Sequence, residues 1–103
     1  MEKKDLFNCL QDRILELIVL PIPKDKFGPV ENLICRYTSE LRDKVNKEKD
    51  EQKIILEFKH YIKNVLSIIE ILISGDQYKA LRRLIQNEIY QCSEVVAGRK
   101  ENK

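Results

Sequence analysis

The stretch QKIILEFKHYIKNVLSIIEILIS, residues 52–74, decides the fold. Counted from Ile54, large apolar side chains return at Phe58, Tyr61, Val65, Ile68 and Leu72 in a 4-3-4-3-4 rhythm, with Ile55, Ile62 and Ile69 flanking them at seven-residue intervals. That period gathers them on one broad face of a helix, whereas a strand would alternate by two.

Beyond this helix, Ser74-Gly75-Asp76 is the sharpest turn signal in the chain. Gly75 suits the left-handed position that ends a helix, and Asp76 suits the cap of the next. The following helix is expected over 77–97, with Tyr78, Leu81, Ile85, Ile89, Cys92 and Val96 facing inward, stopped by Gly98 and followed by a solvated tail, 98–103. On the other side, KVNKEKDEQK at 44–53 holds one apolar residue and neither Gly nor Pro. Either the chain turns there, or one helix runs unbroken from Pro29 to Ser74. Such a helix would have roughly forty-five residues against the usual three or four turns, which favours a turn near 47–50 with Asp50 capping the helix at 51–74.

Earlier still, Val30, Leu33, Ile34, Tyr37, Leu41 and Val45 keep helical register over 29–46, and Pro29 suits a first helical position. All the prolines lie in PIPKDKFGP, which reads as a loop over 21–28 whose Ile22 and Phe27 either plug the end of a bundle, the favoured reading, or leave an exposed Phe27 to anchor a partner. A first helix over 4–20 presents Leu6, Leu10, Ile14, Leu17 and Ile18, with Phe7 beside them. Short turns make neighbouring helices antiparallel. The expectation is a single all-α domain, an antiparallel up-and-down four-helix bundle closed within one chain or completed by dimerisation.

Composition narrows the function. The chain of 103 residues is 43% hydrophobic and 35% charged, the balance of packed amphipathic helices and not of a disordered segment. Nineteen basic residues against seventeen acidic ones leave a net charge of only +2, so attraction to a polyanion needs a local patch. Cys9, Cys35 and Cys92 are odd in number, far apart and set among apolar residues, which reads as buried free thiols in a reducing compartment. With no CxxC or HExxH spacing and a single histidine, neither a metal site nor a cofactor is implied. Charges scattered through the first twenty residues exclude the apolar core of a signal peptide, and the apolar run 17–20 is too short to span a bilayer. The expected location is cytoplasmic.

Two polar features carry possible chemistry. His60, the only histidine, falls nearly opposite the apolar face of its helix, with Asn64 one turn on along the same side. Exposed there, it is either a polar residue on a wet surface or an accessible imidazole able to accept a phosphoryl group. Lys79, Arg82 and Arg83, joined by Arg36 and Arg42, form the other cluster, but Asp76, Glu88, Glu40 and Asp43 interleave with them. That reads as a salt-bridged surface ahead of a nucleic-acid site.

The sequence FKHYIKNVL, with Phe58, Lys59, His60 and Asn64 in that order, followed by ISGDQYKALRRLI, resembles the helical hairpin of the sporulation phosphotransferase and of quorum-sensing histidine kinases. The likeness spans Phe58 to Ile89, about a third of the chain. It implies a hairpin that pairs with a second copy into a four-helix bundle and places the phosphoacceptor role on His60. Two departures stand beside it. The acidic residue that follows the histidine in those families is Tyr61 here, and no glycine-rich nucleotide-binding segment comes after the hairpin.

The function expected first is therefore non-enzymatic: a regulatory or interaction module that binds another protein or itself, as a homodimer, through apolar helical faces. Its contact surface would centre on Ile54, Phe58, Tyr61, Ile62, Val65 and Ile69. Histidine phosphotransfer through His60 and Asn64 is the alternative, and nucleic-acid binding through the basic side of the fourth helix is the weakest of the three.

Overall fold

A computed structural model describes the backbone of residues 3–98 and the side chains of residues 6–98. Four helices follow one another: α1 (Lys3–Ile18), α2 (Lys24–Lys47), α3 (Glu51–Leu72) and α4 (Gly75–Val96). Each packs on its neighbours in sequence, and α1 closes the ring against α4. The result is an antiparallel up-and-down four-helix bundle within one chain. Its radius of gyration of 13.5 Å is close to the about 13 Å expected of a compact domain of this length. Among the described residues no helix is long and apolar enough to cross a membrane.

Position along the wheel explains which faces meet. Phe7, Leu10, Ile14 and Ile18 of α1 are buried, as are Val30, Ile34, Leu41 and Val45 of α2 and Leu81, Ile85, Ile89 and Val96 of α4. Into their centre α3 sends Ile54, Phe58, Tyr61, Ile62, Val65, Leu66 and Ile69. The Phe7 and Phe58 rings stack across the diagonal from α1 to α3, with centroids 6.0 Å apart and planes 14° from parallel. Phe7, expected at the edge of its helix face, is thus among the largest fully buried side chains.

The connections refine the boundaries. Pro21 cannot continue a helix and disfavours helical geometry at Leu20, so α1 stops at Ile18, two residues before the expected end. α2 begins at Lys24 and not at Pro29, which takes most of the expected 21–28 loop into the helix. The Pro23 carbonyl starts it, accepting from the backbone N–H of Lys26 (2.9 Å) and Phe27 (3.0 Å). Pro29 sits in the second turn, where its missing N–H forfeits the bond to the carbonyl of exposed Asp25, which water can serve. Holding the helix there brings Phe27 against the core while Ile22 is buried beneath it, so both close this end of the bundle.

The choice between a turn and a continuous helix resolves at Glu48. α2 ends at Lys47, and Asp50 caps α3 by accepting from the Gln52 backbone N–H at 2.9 Å. Glu48 supports the turn by accepting from the Lys49 and Asp50 backbones, each at 3.1 Å. At the other hairpin Gly75 has φ 67°, the left-handed conformation expected of it. The cap position of α4 is Ser74, not Asp76; Asp76 lies in the first turn, where its carboxylate faces the positive end of the helix dipole. Gly98, with φ 80°, terminates α4, and the rest of the expected tail, 99–103, lies outside the described residues.

Candidate functional site

The six residues expected to form a contact surface, Ile54, Phe58, Tyr61, Ile62, Val65 and Ile69, are all buried inside this chain's own bundle. The other helices already cover them, so they make the core and not an exterior surface. The width of the α3 face, broad enough to suggest an outside partner, instead meets α2 on one side and α4 on the other.

Tyr61 shows why that face includes a polar atom. Its hydroxyl lies 2.7 Å from Thr38 Oγ1, which also donates to the Ile34 carbonyl at 2.7 Å. Both residues are 3% exposed. Burial pushes the Tyr61 hydroxyl far above the ordinary phenol range, and the bond to Thr38 offsets only part of that shift. Thr38 continues the Val30, Ile34 spacing by one more step of four, although the apolar pattern alone favoured Tyr37, which is half-buried. A buried threonine in this register requires a partner, and Tyr61 is that partner.

His60 stands outside, its side chain 62% exposed, with Nδ1 3.7 Å from Glu57 Oε1 one turn earlier. Glu57 also reaches Lys44 of α2, with Oε2 to Nζ at 3.7 Å. With Tyr37, Glu40, Leu41, Tyr61 and Asn64 these side chains line a cleft between α2 and α3 of about 30 Å³. That is room for a water or two and not for a substrate, since small-molecule sites enclose roughly 300–1,000 Å³. His60 and Asn64 therefore do share one edge, as expected. Glu57, three residues before His60, is the carboxylate that reasoning from the position after the histidine missed; helical spacing carries the signal.

The basic cluster changes membership. Glu88 turns toward α1 and pairs with Arg13 at 3.2 Å, leaving Lys79, Arg82 and Arg83 exposed on the other edge of α4. Arg36 and Arg42 belong to α2, which does not pack on α4, so they do not extend this patch. Lys59 and Lys63 of α3 are exposed and lie off the side of that helix that lines the cleft toward α2. Among the described residues no carboxylate comes within ion-pair distance of Lys59, Lys63, Lys79, Arg82 or Arg83.

The thiols also depart from expectation. Cys9 is exposed, because it lies two residues and so about 200° from Phe7 on the wheel. Cys92 is half-buried in a groove between α1 and α4 that Cys9 also lines. Burial lifts its pKa up to about 12, and the neighbouring Cys9 adds to the shift. Burial likewise raises Cys35, with Glu31 and Asp12 contributing. Among the described residues no group of His, Cys, Asp and Glu is arranged to hold a metal ion. No protein-family model, curated protein or solved structure matches the chain.

Proposed function

We propose that this chain is a non-enzymatic, cytoplasmic helical module that regulates or assembles by binding another protein or a second copy of itself through the outside of its α3–α4 hairpin. The observation that supports this reading is where the exposed large apolar residues lie. Among the described residues, Leu56 and Ile71 on α3 and Leu84 and Tyr90 on α4 are all about half exposed or more, whereas the bodies of α1 and α2 contribute none; the rest, Val19 and Leu20, sit in the turn between those helices. A single exposed leucine is ordinary; of these residues Leu56 and Tyr90 lie away from the edges turned to α2 and α1, whereas Ile71, a heptad after Asn64, and Leu84, four before Glu88, lean to those edges, so Leu56 and Tyr90 mark the side on which water exclusion would be favourable. Light scattering after size exclusion reads self-association, and affinity capture followed by reconstitution with the purified partner reads the rest. Leu56→Glu with Tyr90→Glu is expected to abolish the complex and leave the helical circular dichroism unchanged. A double variant that binds as well as wild type refutes the reading.

Glu57 favours a second reading, in which the hairpin resemblance extends to phosphotransfer. A carboxylate beside Nδ1 steers the ring and favours the proton on that nitrogen, leaving the Nε2 lone pair for attack on an aspartyl phosphate. A P–N bond would form as the P–O bond to the donor carboxylate breaks. Incubation with a phosphorylated receiver domain tests it: acid-labile phosphate must appear on wild type and not on His60→Gln, with slower transfer to Glu57→Gln.

A further inference from the structure

The α3–α4 hairpin has a charge pattern that the net charge of +2 conceals. On α4, Glu88, Gln91, Cys92 and Val95 line the groove toward α1, so the opposite edge, with Lys79, Arg82 and Gln86, leans toward α3. On α3, Glu57, His60, Tyr61 and Asn64 line the cleft toward α2, so Lys59 and Lys63 lean toward α4. Glu57 and Glu88 thus turn to the outer edges of the hairpin while these bases lean toward its middle, where Glu70 and Asp76 stand only near the turn. Lys63 and Arg83 stand at nearly equal separations from the turn between the helices, as do Leu56 and Tyr90 farther along. From Lys79 to Tyr90 the strip runs roughly 16 Å, about three helical turns.

Resting on the binding-module reading, we infer that this strip is a docking surface for an acidic amphipathic helix of another protein. Its carboxylates would lie between the Lys59, Lys63 row and the Lys79, Arg82, Arg83 row, and its apolar residues would meet Leu56 and Tyr90. Charge complementarity selects this occupant over a second copy, because two such strips face to face would repel. It also selects it over nucleic acid. Leu56 offers nothing to a phosphate backbone, and Glu70 and Asp76 near the turn oppose a polyanion that continues past that end, whereas a short acidic segment stops before them.

Shift mapping on the isotope-labelled chain tests the inference with an eighteen-residue helical peptide of alternating Glu and Leu faces, its Glu→Gln counterpart and a duplex DNA of similar length. The acidic peptide is expected to move the amides of Leu56, Lys59, Lys63, Lys79, Arg82, Arg83 and Tyr90, and to bind at least tenfold more weakly to Lys63→Glu/Arg83→Glu. A peptide with Lys in place of Glu is expected to regain that loss on the reversed variant, which excludes unfolding as its cause. Tighter binding of the duplex, shifts on another face, or an unchanged affinity in the reversed variant overturns the inference. Equal binding of the Gln peptide at the same face removes the charge argument and leaves the binding-module reading standing. No binding of any peptide, together with a monomer that cross-links to nothing in cells, removes both.

Discussion

Replacing Thr38 by Val should destabilise this protein more than replacing Tyr61 by Phe, although the two changes delete hydroxyls from the same bond. After Tyr61→Phe, Thr38 Oγ1 keeps its 2.7 Å bond to the Ile34 carbonyl, so about one net hydrogen bond is lost, about 1 kcal/mol. After Thr38→Val, the Tyr61 hydroxyl remains, buried, with no described partner. Its full desolvation cost applies, about 1–3 kcal/mol. The double variant deletes both polar groups from an apolar contact and should lie within about 1 kcal/mol of wild type. The two losses are therefore coupled by about 2 kcal/mol, and Thr38→Val alone should lower Tm by on the order of 10 °C. Urea unfolding followed by circular dichroism gives all four corners of the cycle. Additive losses, or a Tyr61→Phe variant at least as damaged as Thr38→Val, would show that the hydroxyls are not bonded in solution.

Phe58→Ala removes one ring of the central stack and should cost about 3–5 kcal/mol, read as a lower urea midpoint. An alanine at Gly75 would meet no atom within 4 Å but must hold φ 67°, so the loss, about 1–2 kcal/mol, is backbone strain alone. Stability should fall on alkaline titration. Burial pushes the Cys92 thiol from its ordinary 9.0 in the unfolded chain up to about 12 in the folded one, so the folded state binds more protons across that window. Its contribution is complete below about pH 9 and declines by up to about 1.4 kcal/mol per pH unit above it. Tyr61, shifted in the same direction, steepens the decline above the ordinary phenol range, and a urea midpoint that stays flat or rises between pH 9 and 11 contradicts both. A thiol reagent at neutral pH should modify exposed Cys9 well before Cys92.

The bundle was legible because its determinants are local. The rhythm from Ile54 to Leu72, the left-handed glycine at Gly75 and the cap at Asp50 each act over a few residues, and each appears where the spacing puts it. The start of α2 was not legible, since Pro29 suits a first helical position in isolation; burial of Phe27 five residues after Ile22 decides otherwise. Site assignment failed for a different reason. Periodicity identifies an apolar face but does not say whose side chains cover it, and here α1, α2 and α4 cover Phe58 and Val65 completely enough to leave no outside contact there. The hydroxyl pair of Thr38 and Tyr61 depends on which helix edges meet, which no single helix encodes, whereas Glu57 beside His60 is an i, i+3 spacing within α3 that the sequence does carry.

The apolar face of α3 is covered within one chain. Isotope-filtered proton contacts in an equal mixture of labelled and unlabelled protein test it directly at Phe7 and Phe58. The ring contact is expected only within a chain, whether or not copies associate through their exteriors. A Phe7 to Phe58 contact between labelled and unlabelled chains would contradict it, because the core would then be built from two copies.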